Sequence, residues 1–205
     1  MSSPRNETES RILEAAQTVF VREGTREAKL KEIAEEADVN QALLHYYYRD
    51  KKTLADTVFE KVASEFFPQL EAILNADQTV EEKVRTFVPK YINLIQENPY
   101  LPSYIVGELN RNPAELKDRV RSLDLAPFEK LGPLDQQLKR RAEEGTLQPI
   151  SAQQFVVNLV SLCVFPFIAR PLLEAALGME REDFEHLLED RKEAVTKFFL
   201  NAIRP

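Results

Sequence analysis

Few side chains in this sequence could carry out covalent or metal chemistry, and they are scattered. The two histidines, His45 and His186, are far apart in the sequence and form no paired-histidine metal motif. The single cysteine, Cys163, lies in an apolar segment, where a structural thiol is the expected role. No glycine-rich phosphate-binding loop is present. We therefore expect no metal and no cofactor, and an enzyme is a rival class that no motif supports.

A cluster of polar side chains between Asn40 and Lys52 could instead bind phosphate groups. Three cations in this stretch, Arg49, Lys51 and Lys52, oppose one anion, Asp50. Neutralisation of phosphates by lysine and arginine supplies much of the affinity of nucleic-acid-binding proteins. The whole chain carries a net charge of −7, so any surface that faces DNA must be local. Net charge by itself neither supports nor excludes DNA binding.

The elements around this cluster have the pattern of a helix-turn-helix. Apolar residues from Ile12 to Phe20 recur every three or four positions, which predicts an amphipathic helix that ends near Gly24. Two short helices then meet at a turn around Asp38, and aspartate adopts the left-handed conformation more easily than most residues. Ala34 is the small residue where the two helices cross. An ordinary helical hairpin in a core has the same spacing and is the alternative at this point.

Polar residues mark where the helices on either side of the cluster begin. Asn40 can cap the second short helix, and Asp50 can cap a long helix that starts at Lys51. If the short helices pack as a pair, Leu44 and Tyr48 project inward and belong to the core. The long helix would then link an N-terminal part to the rest of the chain.

The remaining sequence is also predicted to be helical. Thr79 and Glu82 fit a capping box at the start of the next helix. Further helices are expected at residues 102–111, at 113–145 with breaks at Pro127 and Pro133, at 151–177 and at 181–203. About nine helices and no strand predict an all-α fold, with a boundary near Lys51 that separates residues 1–50 from residues 51–205.

The composition fits a soluble helical protein: 43% of the residues are hydrophobic, 30% are charged and only 5 are glycine. A single cysteine excludes an internal disulfide. The N-terminus has no basic and apolar segments of the kind that direct secretion. No run of about 18 uncharged apolar residues is present. We therefore expect a cytoplasmic protein without a membrane span.

Residues 11–54 resemble the DNA-binding domain of the tetracycline-repressor (TetR) family. The resemblance rests on RILEAAQTVFVREG followed by KEIAEEADVNQALLHYYYRDKKTL. Two positions depart from the family pattern: Asp38 where glycine is commonest, and Tyr48 where phenylalanine is usual. The resemblance implies a three-helix DNA-binding domain at residues 1–50 and a larger helical ligand-binding and dimerisation domain at 51–205.

The same resemblance implies a transcriptional regulator, of the repressor type, that binds palindromic operator DNA as a homodimer. A single helix-turn-helix has limited affinity, and two copies read two half-sites of a symmetric operator. A small-molecule effector would release the protein from the operator. A helical interaction protein without DNA binding is the alternative, which the acidic balance and Asp38 leave open.

The family's operator contacts can be carried over to matching positions. They fall on Lys31, Gln41, Ala42, Leu43, His45, Tyr46 and Lys51, and Lys29 can add a contact to the DNA backbone. The amide of Gln41 suits the edge of adenine, and Ala42 and Leu43 suit thymine methyl groups. Phosphates suit the hydroxyl of Tyr46, the imidazole of His45 and the charge of Lys51. Whether Lys31 contacts a guanine edge or a phosphate stays open.

The resemblance also implies an effector pocket among the middle helices. Its candidate apolar lining is Phe66, Tyr91, Ile95, Tyr104, Phe128 and Phe165, with Arg111, Arg119 or Arg170 available to an acidic group. Each of the aromatic side chains could equally be part of the core. The effector is expected to be partly apolar.

Dimerisation needs a surface that is apolar in each subunit. The helix at 151–177 is apolar around much of its circumference, and the last helix is amphipathic, so two helices per subunit could form a four-helix bundle, as the family resemblance implies. The candidate interface residues are Phe155, Leu159, Leu162, Phe184, Leu188, Val195 and Phe199. The alternative is that both helices are simply core.

Overall fold

The computed structural model describes residues 4–111, 113–122 and 131–205. Eleven α-helices and no strand are present in these ranges, which confirms the all-α fold class. In chain order the helices are α1 (Pro4–Glu27), α2 (Leu30–Glu36), α3 (Gln41–Tyr47), α4 (Lys51–Asn75), α5 (Val80–Glu97), α6 (Leu101–Arg111), α7 (Pro113–Ser122), α8 (Gly132–Glu143), α9 (Ala152–Ile168), α10 (Arg170–Leu177) and α11 (Arg181–Ala202).

The chain divides into two compact units. Unit 1 consists of Met1–Glu65 and Glu97–Lys117, and unit 2 consists of Phe66–Gln96 and Asp118–Pro205. Residues 1–50, the predicted DNA-binding domain, fall within unit 1, which also takes in the first part of α4 and all of α6. A domain boundary near Lys51 stays a prediction, because the two units are defined by packing and not by function.

The helices α1, α2 and α3 of unit 1 are joined by a small apolar core. Ile12, Phe20, Ile33 and Leu44 are each 0% exposed. The two from α1 are eight positions apart, which puts them on one face of that helix. At Gly24 the backbone leaves the helical conformation, with φ 75° and ψ 158°, close to the predicted end of the helix.

Unit 2 has a larger core, to which the long helices contribute aromatic side chains. Phe155 of α9 meets Phe199 of α11 edge to face, with 4.9 Å between ring centroids. The contact between α5 and α8 has a polar component, since the guanidinium of Arg141 donates to both carboxylate oxygens of Glu81 at 3.0 and 3.2 Å. These hydrogen bonds lower the pKa of Glu81 below its ordinary value.

Local capping accounts for several helix boundaries. Thr79 and Glu82 form the predicted capping box: the backbone N–H of Thr79 donates to the Glu82 carboxylate at 2.8 Å, and the backbone N–H of Glu82 donates to the Thr79 hydroxyl at 3.2 Å. Gly178 closes α10 in the left-handed conformation, at φ 64°. The capping box is the one predicted from the sequence.

The predicted single helix at residues 151–177 is wrong, because the chain bends by 72° between α9 and α10. Pro171 explains the break: it has no N–H to donate to the carbonyl of Phe167, and its ring would clash with that carbonyl in a continuous helix. This break helps raise the number of helices above the predicted nine. No single helix in the described ranges is long and apolar enough to cross a membrane, and α9 with α10 meets those criteria only as a bent pair.

Candidate nucleic-acid interface

The turn between α2 and α3 has the conformation that the sequence predicts. Asp38 has φ 49°, and no other non-glycine residue in the described ranges has a positive φ. The backbone N–H of Asp38 donates to Glu35 at 3.1 Å, and that of Val39 donates to Ala34 at 3.0 Å. This pair of hydrogen bonds is the Schellman motif, in which glycine usually holds the left-handed position. Aspartate therefore closes α2 as glycine would, at the cost of some backbone strain.

Arg11 fastens this turn to α1, a role that the sequence analysis missed. Its guanidinium donates to the carbonyl oxygens of Ala37 at 2.6 Å and Asp38 at 3.0 Å. A carboxylate oxygen of Asp38 also lies 3.8 Å from the same guanidinium. These carbonyls follow the end of α2, where helical partners run out. Spacing along the chain could not show the contact, because it depends on how α1 crosses α2.

The helix α3 presents one face to the core and one to solvent. The carboxamide oxygen of Asn40 accepts from the backbone N–H of Leu43 at 2.7 Å, which confirms the predicted cap. Leu44 is 0% exposed and Tyr48 is 4% exposed, so both belong to the core as predicted. Burial raises the pKa of the Tyr48 phenol.

The outer face of α3 consists of residues predicted to contact DNA. The exposed members of the set are Gln41, Ala42, His45 and Tyr46, and Leu43 is half-buried. Tyr46 is 70% exposed, although its ring packs edge to face on Tyr47 with centroids 5.5 Å apart. The contact limits the orientations of the Tyr46 ring and leaves its hydroxyl group toward solvent. The face offers an amide, an imidazole, a phenol and a methyl group, and no carboxylate lies within α3.

The lysines of α2 and its cap are exposed but not isolated. The ammonium of Lys29 lies 3.3 Å from Glu32, and that of Lys31 lies 3.6 Å from Glu35. Surface ion pairs of this kind contribute about 0–1 kcal/mol. Exchange of these carboxylates for a DNA phosphate would therefore cost little.

Lys51 has a structural role in addition to its predicted contact with phosphate. Its ammonium donates to the carbonyls of Arg26 at 2.6 Å and Ala28 at 2.9 Å, where α1 ends and α2 begins. One of its three N–H groups is left for another acceptor. The neighbouring Asp50 caps α4, as predicted, by accepting from the backbone N–H of Thr53 at 2.8 Å. That hydrogen bond holds the pKa of Asp50 below its ordinary value.

Three of the predicted effector-pocket residues lie in unit 2. Phe66 and Tyr91 have ring centroids 6.3 Å apart, and Phe66 is almost fully buried. Ile95 is 3% exposed and also belongs to this unit. Burial raises the pKa of the Tyr91 phenol. A pocket that includes these three side chains stays a prediction.

The other predicted pocket residues have different surroundings. Tyr104 belongs to unit 1, where it packs on Phe59 with centroids 5.3 Å apart. Phe165 is 54% exposed, so it does not belong to the interior of unit 2, and its place in an apolar lining stays a prediction. Phe128 lies outside the described residues, and the side chain of Arg119 is likewise not described.

The residues chosen for the dimer interface face the interior of their own chain. Six of them are at most 3% exposed: Phe155, Leu159, Phe184, Leu188, Val195 and Phe199. Leu162 is half-buried, and its carbonyl accepts from Arg191 at 2.7 Å. The choice of the six buried residues is therefore wrong, since a partner cannot contact side chains that the core already covers, and Leu162 stays a prediction. The polar residues of α9 mark its outer face, since Gln154, Asn158 and Ser161 are all exposed.

The same helices expose a different set of large apolar side chains. Val157 is 57% exposed, Phe165 54% and Ile168 44% on α9, and Phe198 is 63% exposed on α11. The three on α9 are separated by eight and three positions, so they lie along one side of the helix. Large apolar side chains exposed together are a feature of interaction sites.

Comparison with protein families supports the assignment of the first helices. Residues 12–58 match the model described as bacterial regulatory proteins, tetR family. The fatty acid metabolism regulator protein of Bacillus subtilis (strain 168) is 21% identical over 112 residues, which are 55% of this chain and 58% of the relative. The chain thus matches a little over half the length of this curated relative.

Solved structures with the same fold match along nearly the whole chain. One described as a TetR-family transcriptional regulator from Mesorhizobium loti is 18% identical, covers 100% of both chains and has a TM-score of 0.65. The regulator FadR from Bacillus subtilis, in complex with stearoyl-CoA, is 17% identical over 92% of this chain and 97% of its own, with a TM-score of 0.61. The hemolysin II regulator HlyIIR is 24% identical over 94% and 98%, with a TM-score of 0.59. At these identities the likeness is one of fold.

The backbone strain at Asp38 can be measured with two substitutions. Both Asp38→Gly and Asp38→Ala remove the carboxylate beside Arg11, so their difference isolates the backbone. Because only glycine adopts φ 49° without a Cβ penalty, we expect Asp38→Ala to unfold with a free energy about 1 kcal/mol lower than Asp38→Gly. Urea denaturation of the full chain measures this difference. Equal stability of the two variants would show that the turn is not left-handed.

Proposed function

We propose that this chain, a member of the TetR family of bacterial regulatory proteins, is a transcriptional repressor that binds a palindromic operator as a homodimer and is released by a small-molecule effector. The proposal depends on one observation: α3, which follows the turn of the helix-turn-helix, has one buried face and one exposed face. The residues 1–50 would form the DNA-binding domain, and residues 51–205 would bind the effector and the second subunit.

The exposed face of α3 is suited to the major groove of DNA. Gln41 is the first residue of the helix and is exposed, and recognition helices commonly contact bases through their N-terminal residues. A glutamine amide can donate to N7 and accept from N6 of adenine with two parallel hydrogen bonds. Tyr46 lies more than one turn further along, where its hydroxyl can reach a phosphate. Lys31, in the first turn of α2, could add charge at the same DNA backbone.

Removal of the Gln41 amide tests the base contact. The operator is first selected from random DNA with the wild-type protein, and binding is then measured by gel shift. We expect Gln41→Ala to lose about 1–3 kcal/mol for the selected operator and to tolerate any base at one position of each half-site. Gln136→Ala, which removes an exposed glutamine from α8, should bind as the wild type does.

Two outcomes would contradict this assignment. Retention of the wild-type base preference by Gln41→Ala would show that another face of the protein reads DNA. Failure of the wild type to select any sequence, with no steep loss of binding as salt rises, would favour a helical interaction protein.

The proposed dimer would use the exposed apolar side chains of α9 and α11. Val157, Phe165 and Phe198 are each more than half exposed in the single chain. Two copies of one patch can cover each other about a two-fold axis, which also matches the symmetry of a palindromic operator. The buried residues of these helices would then support the interface from within each subunit.

A charge on this surface should separate the subunits. We expect light scattering to give the mass of a dimer for the wild type and of a monomer for Phe165→Glu at micromolar concentration, because a carboxylate would be buried without a partner. Leu109→Glu is the control, since Leu109 is 51% exposed on α6 and lies outside the proposed interface. A wild-type monomer, or a Phe165→Glu dimer as stable as the wild type, would contradict the proposal.

For the effector we propose a molecule with a long apolar chain and an anionic group. The support is the likeness to FadR of Bacillus subtilis, which was solved with stearoyl-CoA. The aromatic residues of α4 and α5 in unit 2 agree with an apolar chain as ligand, since Tyr91 stacks on Phe87 with centroids 5.6 Å apart and lies next to Phe66.

Stearoyl-CoA is the probe for this effector class. We expect saturating stearoyl-CoA to weaken operator binding at least about tenfold, a coupling free energy of roughly 1.4 kcal/mol. Coenzyme A without the acyl chain should have no effect. Because coupling is reciprocal, operator DNA should weaken stearoyl-CoA binding by the same factor, which calorimetry can measure. Binding of stearoyl-CoA with unchanged operator affinity would contradict release by this ligand class.

A further inference from the structure

A cavity of about 440 Å³ lies within unit 1 and is lined by no residue of α3. Its walls come from the end of α1, the start of α4 and the middle and end of α6. The lining includes four cationic residues, Arg26, Lys51, Lys52 and Arg111, and one acidic residue, Glu108. The volume is within the range of small-molecule sites, which is about 300–1,000 Å³.

The carboxylate that lines the cavity and two carboxylates beside it each lie close to a cation. The ammonium of Lys52 donates to Glu115 at 2.8 Å and to Asp56 at 3.0 Å, and it lies 3.8 Å from Glu108. The hydrogen bond with Glu115 is the main reason that the pKa of Lys52 is raised. The side chain of Glu108 is 6% exposed and lies 3.3 Å from the guanidinium of Arg111. Each of these carboxylates is therefore already paired with a cation, and few unpaired carboxylates face an incoming ligand.

The cationic side chains of this cavity keep N–H donors that have no acceptor in the part of the chain that the structure describes. Lys51 has one N–H beyond the two that contact backbone carbonyls. Arg111 is 70% exposed, and among the described residues its one ion pair is with Glu108. Arg26 is 95% exposed and lies 3.7 Å from Glu27. Each guanidinium has five N–H donors and no acceptor, so several of them stay available.

We propose that this cavity binds a small anion of the phosphate or pyrophosphate class. A ligand for a site with spare donors must bring acceptors, and the fork of a guanidinium matches two oxygens of a phosphate group. Inorganic phosphate is much smaller than the cavity, so a larger phosphate-bearing molecule fits better. The proposal does not depend on DNA binding.

Because the cavity lies beside the segment between α1 and α2, an anion bound there would affect the helix-turn-helix. Lys51 connects α4 to the carbonyls of Arg26 and Ala28, which lie between α1 and α2. An anion that accepts from the third N–H of Lys51 and from Arg26 would brace this connection. The occupied site would therefore stabilise unit 1 against thermal unfolding.

Calorimetric titration of the full chain with sodium pyrophosphate tests the site without any DNA. At an ionic strength of about 0.15 M, we expect saturable binding to the wild type. Arg26→Ala and Arg111→Ala should each weaken it roughly tenfold or more, because each removes charge-assisted hydrogen bonds. Arg140→Ala is the matched control, since Arg140 is a 68% exposed arginine of unit 2.

The decisive variant is Arg26→Ala, because this side chain has no buried contact to lose and the protein should fold as before. Circular dichroism and the Tm of the unliganded variant check this expectation. Loss of binding in Arg26→Ala and Arg111→Ala, with Arg140→Ala unchanged, supports the site. Absence of saturable binding to the wild type overturns the proposal, and so does wild-type affinity in Arg26→Ala.

Discussion

The hydrogen bonds that Arg11 donates to the carbonyls of Ala37 and Asp38 hold the turn on which the position of α3 depends. The left-handed conformation of Asp38 changes the direction of the chain, and the hydrogen bonds of the Schellman motif end α2 there. Only with this turn fixed can Leu44 enter the core while Gln41 stays exposed. The exposed face of α3 is therefore a consequence of backbone geometry as much as of its own residues.

Charge plays a local role in a chain whose net charge is −7. The α3 face is nearly neutral, and the lysines beside it are paired with carboxylates at the surface. Such an arrangement favours specificity through base contacts over strong general attraction to DNA. Lys51 and Lys52 hold helices of unit 1 together, so a cation near a recognition helix is not by itself evidence of a phosphate contact.

Much of the fold could be predicted because it depends on local patterns. The caps at Asn40, Asp50 and Thr79 and the left-handed Asp38 are each determined by a few adjacent residues. The contacts of Arg11 and of Lys52 depend on how distant helices cross, and the sequence contains no signal for that. The choice of Phe155 over Phe165 as the exposed side chain failed for a different reason, because it did not use the polar residues of α9. Gln154, Asn158 and Ser161 are all exposed and mark the side of the helix that carries Phe165.

Recognition of DNA by α3 is tested most directly by the crystal structure of the protein bound to the DNA that it selects. We expect α3 in the major groove with the Gln41 amide at a base edge. We also expect two protomers whose α3 helices are about 34–36 Å apart, or a multiple of this distance, on a two-fold symmetric site. A complex in which the exposed face of α3 makes no contact with DNA would show that this helix does not recognise the operator.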